Sequence, residues 1–154
     1  MLSEADGYAL LRQYDVPAPA FEIVQSADDA AKAAASIGYP VVMKIVSPQI
    51  IHKSDAGGVI VGVKDDAAAK EAFDKIVANA KNYDASAEIK GVIVEEMAKP
   101  GLELIVGGKI DPAFGRVLTF GLGGTMVEFH KDVGIRLLPA SDEELRSLIR
   151  EIKG

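Results

Sequence analysis

The chain contains no cysteine among its 154 residues. Disulfides, thiolate-held metals and a cysteine nucleophile are thereby excluded, so any covalent chemistry must use another side chain. Also missing is any apolar run near the ~18–20 residues that a membrane-spanning helix needs. There is no excess of positive charge: 17 Lys and Arg stand against 23 Asp and Glu, a formal net charge of −6. That balance argues against a basic nucleic-acid surface, although a single cleft can still be cationic. The first residues, M-L-S-E-A-D-G-Y, are acidic and hold no apolar signal-peptide segment. Neither a low-complexity tract nor an internal repeat is visible. What remains is the expectation of a soluble, cytoplasmic protein that meets neither nucleic acid nor membrane. Its 49% apolar and 26% charged residues are ordinary for a globular fold. Its length suits one domain, or two small subdomains sharing a cleft.

The residue patterns predict an alternating first part. Ser3 to Tyr14 reads as a helix capped by Ser3, with Tyr8, Leu11 and Tyr14 near one face. Val16-Pro17-Ala18-Pro19 ends it and forces an extended path. A strand over 21–24 follows, then an alanine-rich helix from Ser26 to Ile37 with Gly38 just past its end. Strands are predicted over 40–46, 58–63 and 91–97, and a helix over 65–80 with Phe73, Ile76 and Val77 on its apolar face. From Gly101 the texture changes to four strand candidates, 102–108, 116–120, 125–129 and 134–138, punctuated by glycine or Asp-Pro turns. A final helix over 141–152 carries a capping-box pattern in Ser141 and Glu144. Residues 97–101, M-A-K-P-G, read as a hinge. The division expected is an N-terminal helix over 1–16, one α+β subdomain over 17–97 and a partial second one over 98–154, with ligands in the cleft between the subdomains.

The most informative stretch runs from Val41 to Val59, V-V-M-K-I-V-S-P-Q-I-I-H-K-S-D-A-G-G-V. Lys44 sits in a strand whose neighbours Val41, Val42, Met43, Ile45 and Val46 are all apolar, which suggests burial on both faces. A strand lysine on a solvated face is the ordinary alternative. A buried one needs an anionic partner. A cation beside a glycine-rich loop, here Gly57-Gly58, is suited to phosphate, because backbone N–H groups can approach closely there. Those glycines are equally compatible with a plain turn. His52 is either an inert loop histidine or a nucleophile, since neutral imidazole attacks well near pH 7. Asp55, three residues on, is placed to orient it.

Four segments, in order, resemble the ATP-grasp domain of ADP-forming acyl-CoA synthetases, the acetate–CoA ligase type, in their β-subunit. They are G-Y-P-V-V-M-K-I-V-S-P from Gly38, I-I-H-K-S-D-A-G-G-V from Ile50, G-V-I-V-E-E-M from Gly91, and G-L-E-L-I-V-G-G-K-I-D-P-A-F-G-R-V-L-T-F-G-L-G-G-T-M-V-E from Gly101. The H-K-S-D-A-G-G and D-P-x-F-G…G-L-G-G segments are the specific ones. The H-K-S-D-A-G-G segment also argues against a succinate–CoA ligase. The resemblance implies an α+β ATP-grasp fold, two subdomains flanking a nucleotide cleft, and ATP or ADP with Mg²⁺ as cofactors.

By the same resemblance, a phosphoryl group passes from acyl phosphate to a histidine on a CoA-binding α-subunit or fused domain. It then passes to a histidine at the position of His52, and on to ADP. Lys44 would touch phosphate, with Lys53 and Ser54 as weaker contacts and Gly57 and Gly58 as a loop over the phosphates. Glu95, Glu96 and Met97 would meet the adenine, through hinge backbone groups and the apolar Met97. Glu103 matches an acidic residue facing ribose or phosphates, or is a surface glutamate. Asp111-Pro112 and Gly121 to Gly124 would shape the second wall. Glu128, Asp132 and Arg136 carry no assigned role, and His130 is read as structural or exposed. The family's domain continues past the position of Gly154 with an Asp-x-Asn-Pro segment and a later acidic residue that hold magnesium. The chain is therefore expected to be truncated, with unknown metal ligands of its own, and inactive alone. The competing reading is a nucleotide-sensing module of an acetyltransferase-type protein. Retention of His52 disfavours it, because a sensor needs no phosphoryl acceptor.

Overall fold

The structure is a computed structural model that describes residues 3–124 and 132–153. The chain divides into two compact units, Met1–Lys99 and Pro100–Gly154. Division after Lys99 falls within the M-A-K-P-G stretch, which has no regular structure beyond Glu96.

The first unit runs α1 (Glu4–Gln13), β1 (Phe21–Val24), α2 (Ala27–Ile37), β2 (Val41–Val46), β3 (Val59–Val63), α3 (Asp66–Tyr83) and β4 (Gly91–Glu96). The four strands form one sheet in the order β1-β4-β2-β3, each neighbouring pair antiparallel. The helix starts follow their caps. Ser3, Ser26 and Asp65 each accept a backbone N–H with the side chain, from Asp6, Asp29 and Ala68. Gly38 closes α2 at φ +105°, a conformation that favours glycine.

Helices α2 and α3 cover one face of the sheet. Their alanines Ala30, Ala34, Ala69 and Ala80 are fully buried together with Val41, Met43, Ile45, Ile76, Val92 and Val94. Small side chains let both helices approach the sheet closely, so this core is built by alternate strand residues. The burial of β2 alternates strictly: Val41, Met43 and Ile45 face the helices, while Val42, Lys44 and Val46 are half-buried on the other face. The run of apolar neighbours around Lys44 thus does not signal a strand sealed on both faces. Helix α1 lies toward that second face, with Tyr8 stacked at a tilt on Phe21, ring centroids 5.3 Å apart. Leu11 and Tyr14, expected to share an apolar face with Tyr8, are instead exposed.

The second unit holds β5 (Leu104–Asp111), β6 (Gly115–Leu122), β7 (Val133–Leu137) and α4 (Asp142–Glu151). Its three described strands form an antiparallel sheet in sequence order. The Asp111-Pro112 turn is stabilised by the Asp111 carboxylate, which accepts the N–H groups of Ala113 at 3.0 Å and Phe114 at 3.2 Å. The Ser141/Glu144 capping box is present. Leu148 of α4, 1% exposed, packs over Gly134 so closely that a Cβ there would lie 2.4 Å from its Cδ1. Arg136 pairs with Glu151 and so ties β7 to α4. Lys153 donates its N–H to the Asp132 carboxylate at 2.7 Å. The strand predicted over 125–129, with Glu128, and His130 lie outside the described residues.

Candidate functional site

Lys44 projects from the centre of β2, opposite Ile93 of β4 and Val59 of β3. The anion that a half-buried ammonium demands is supplied twice by the protein. Its Nζ pairs with the Glu95 carboxylate and, at 2.7 Å, with Oε1 of Glu4. Glu95 is 5% exposed and is the buried charged residue among those described. Tyr8 donates its hydroxyl to Glu4 Oε1 at 3.1 Å and to Glu95 Oε2 at 3.2 Å. The other oxygen of Glu4, Oε2, accepts from Lys53 Nζ at 2.5 Å. Two ammonium groups from different segments therefore converge on a single carboxylate.

The electrostatics follow from this closed set. Burial alone would push the Glu4 carboxyl up, but hydrogen bonds and charge from Lys44 and Lys53 outweigh it and hold the group down at about 2. Burial disfavours the Lys44 cation, yet Glu4 and Glu95 overcome that and raise its pKa. Burial, then the charges of Glu95 and Glu4, push the Tyr8 hydroxyl up, so it remains a donor. Because the folded value of Glu4 lies below its ordinary 4.5, its contribution to stability is complete above that value and is lost as pH falls toward 2. A Glu4→Gln variant is therefore expected to be less stable than the parent at pH 6. The gap should narrow steadily between about pH 4.5 and 2. Denaturant titrations at each pH would show it, and a gap independent of pH would mean that Glu4 acts by packing alone.

The loop between β2 and β3 carries His52. Ile50, 2% exposed, anchors its entry. His52, Ser54 and Asp55 are exposed. The amides of Asp55 and Ala56 both donate to the His52 carbonyl, at 3.2 and 3.4 Å. Among the described residues, the Asp55 carboxylate makes no hydrogen bond to the imidazole, so its contact with His52 is through backbone. Gly57 and Gly58 close the loop for packing reasons. Gly57 sits at φ +60° and gives its carbonyl to Asn79 Nδ2 at 2.8 Å. At Gly58 a Cβ would fall 2.6 Å from Ile45 Cγ2. Their N–H groups are used within the loop, donating to the carbonyls of Ser54 at 3.0 Å and Lys53 at 2.8 Å.

The other expected site residues are placed as follows. Glu96 is exposed, and its N–H donates to the Ala20 carbonyl at 2.8 Å. Met97, half-buried, begins the irregular stretch beyond it. Glu103 belongs to the second unit, where its carbonyl accepts from Gly123 at 2.7 Å and its carboxylate lies over Gly124. Thus Lys44, Lys53 and Glu95 come together, joined by Glu4 and Tyr8, which the residue patterns did not single out. The one sequence signal for them was the demand of Lys44 for an anion, which names no residue.

The model of the ATP-grasp domain matches residues 1–154. This chain belongs to the ATP-grasp family. It is 52% identical over 152 residues to the 4-hydroxybutyrate–CoA ligase (ADP-forming) of Nitrosopumilus maritimus, covering 99% of this chain and 22% of that protein. It is 49% identical over 152 residues to the β-subunit of the ADP-forming acetate–CoA ligase I of Pyrococcus furiosus, covering 99% of this chain and 66% of that one. A solved structure of acetyl-coenzyme A synthetase 1 from Ca. Korarchaeum cryptofilum matches at TM-score 0.81 and 37% identity, over 99% of this chain and 64% of that one. That protein is bound to coenzyme A and Mg-AMPPCP, with its phosphohistidine segment pointing towards the nucleotide binding site. The ATP-grasp chain described here thus spans at most about two thirds of these relatives. It corresponds to the ATP-grasp portion of ADP-forming CoA ligases.

Proposed function

We propose that this chain is the nucleotide-binding part of an ADP-forming acyl-CoA synthetase, in which His52 takes a phosphoryl group from a partner and delivers it to ADP. The whole reaction would be acyl-CoA, ADP and phosphate giving carboxylate, CoA and ATP. The observation that carries the reading is the convergence of Lys44 and Lys53 on one carboxylate, Lys53 being the chain neighbour of the exposed His52. Two cations spaced to hold one pair of anionic oxygens suit a phosphate equally well. The naming of the Pyrococcus relative as a β-subunit supports a CoA-binding α-subunit, or a fused domain, as the donor of the phosphoryl group.

In the first step a neutral His52 nitrogen attacks phosphorus, forming a P–N bond as the bond to the partner's histidine breaks. In the second, a terminal oxygen of ADP attacks, the P–N bond at His52 breaks, and the imidazole returns to its starting state. The exposure of His52 suits both encounters. Lys44 and Lys53 would offset the charge on the transferring group, which is most of what phosphoryl transfer asks of a protein. Hinge backbone from Met97 onward would meet the base, since the Glu96 N–H is already taken.

Magnesium is held with AMPPCP in the Korarchaeum complex, and among the described residues here no group of three or more His, Asp and Glu side chains is placed to hold a metal ion. This chain by itself, spanning at most about two thirds of those relatives, is expected to bind ADP weakly, at about 0.1 mM or worse, and to turn over nothing. Calorimetry with ADP, with and without Mg²⁺, tests it. Binding tenfold tighter on adding Mg²⁺ would show that the metal ligands lie within these residues.

A further inference from the structure

We propose that Glu4 is a positioning residue: through Lys53 it latches the His52 segment, residues 51–55, to helix α1. The proposal rests on the reading of His52 as a phosphoryl carrier for its purpose, but not for its physical content. Between the buried Ile50 and the core-packed Ala56, residues 51–55 make one side-chain ion pair to the rest of the first unit among the described residues, Lys53 with Glu4. A cleft of about 580 Å³ opens here, with Ser3, Glu4 and Asp6 of the α1 end on one side and Ile50, Ile51 and Lys53 on the other. Lys53 and Glu4 meet at that cleft, so the exposed part of the segment is tethered by charge, while Ala56 at its end is held by packing in the core.

The two halves of the latch differ in rigidity. Glu4 is fixed at its Oε1 by Lys44 and Tyr8, both rooted in contacts to Glu95. Lys53 is on an exposed loop and reaches Glu4 with a flexible stem. Releasing Lys53 leaves Glu4 still paired with Lys44, so opening strands no buried carboxylate without a cation. A phosphoryl group on His52 would bring about −1.5 to −2 charge next to Lys53 and compete with Glu4 for its ammonium. The latch would therefore hold the empty segment and loosen on the loaded one.

Hydrogen exchange in the complete protein, without nucleotide or partner, tests this with Glu4→Gln, Lys53→Met and the double variant. The amides of Asp55, Ala56, Gly57 and Gly58 donate to loop carbonyls and report opening. Each single variant is expected to speed their exchange about tenfold and the double no further, the signature of one shared interaction. In Lys53→Met the amides of α1 and α3 should keep their parental rates, and in Glu4→Gln the loop amides should accelerate beyond the change that its lower stability imposes on α1 and α3. Unchanged loop exchange in either single variant overturns the latch. So does additive acceleration in the double, which would make Lys53 and Glu4 independent. Equal acceleration of α1 and the loop in Glu4→Gln overturns it as well, because Glu4 would then be only the anchor of its own helix. Acid-labile, base-stable label on His52 from ATP is a separate readout. Its absence would sink the phosphoryl-carrier reading while leaving the exchange result standing.

Discussion

Replacing His52 by alanine is expected to stop ATP formation from acyl-CoA, phosphate and ADP in the complete enzyme, lowering the rate by several orders of magnitude. The reason is covalent. If the phosphoryl group must travel from a partner's site to ADP on an imidazole, removing that imidazole breaks the only chemical connection between the two half-reactions. Loss of a general acid or base alone typically costs ~10²–10⁴-fold, and an obligatory carrier should cost more. Exchange reactions confined to the partner should survive, because their bonds form elsewhere. The parent should carry acid-labile, base-stable phosphate at His52, and the variant none. A variant retaining more than about a tenth of the activity has lost under about 1.4 kcal/mol of barrier stabilisation, and that is too little for a required covalent step.

Lys44→Met is expected to act on both stability and nucleotide affinity. Lys44 is the shared cation of Glu4 and Glu95. Without it, two carboxylates and the Tyr8 hydroxyl are left together on one half-buried face. Breaking a fully buried pair costs about 3–5 kcal/mol, but the Lys44 side chain retains 22% exposure, so about 1–3 kcal/mol is the expected loss. The loss should shrink on acidification, since protonating one carboxylate removes the repulsion. Lys32→Met, which deletes an exposed surface pair with Asp29, should leave stability nearly unchanged and serves as the control. If Lys44 also meets phosphate, the complete enzyme should bind ADP about 10–100-fold more weakly, the value of a charge-assisted hydrogen bond. Denaturant unfolding at pH 5 and 8, with ADP titrations, separates the two effects. Undiminished ADP affinity would confine Lys44 to the ion-pair network.

The elements were legible because their signals are local. Ser3, Ser26, Asp65 and Ser141 stand where helices begin, since a side-chain oxygen caps backbone N–H groups within the next three residues. Gly38 stands where α2 ends, and the apolar runs mark strands, usually to within two or three residues. The α3 helix ran three residues beyond its predicted end, through the exposed Lys81, Asn82 and Tyr83, and closes where the Asp84 N–H donates to the Ala80 carbonyl. The family was legible too, from motifs contiguous in the chain.

What those patterns could not settle is how each charge is satisfied. Alternation in β2 was hidden because the solvent-side positions Val42 and Val46 are themselves apolar, so composition looked two-sided where burial is one-sided. Sequence also placed Lys44 near a glycine-rich loop without revealing that Glu4, 40 residues away, already sits on it. Nor could it show that Gly57 and Gly58 direct their N–H groups into their own loop. The physical reason is the same in each case. Helix and strand arise from interactions between near neighbours, which the order of residues fixes directly. A closed set of charges such as Glu4, Tyr8, Lys44, Lys53 and Glu95 exists only once the antiparallel sheet and α1 have brought distant segments within hydrogen-bonding distance.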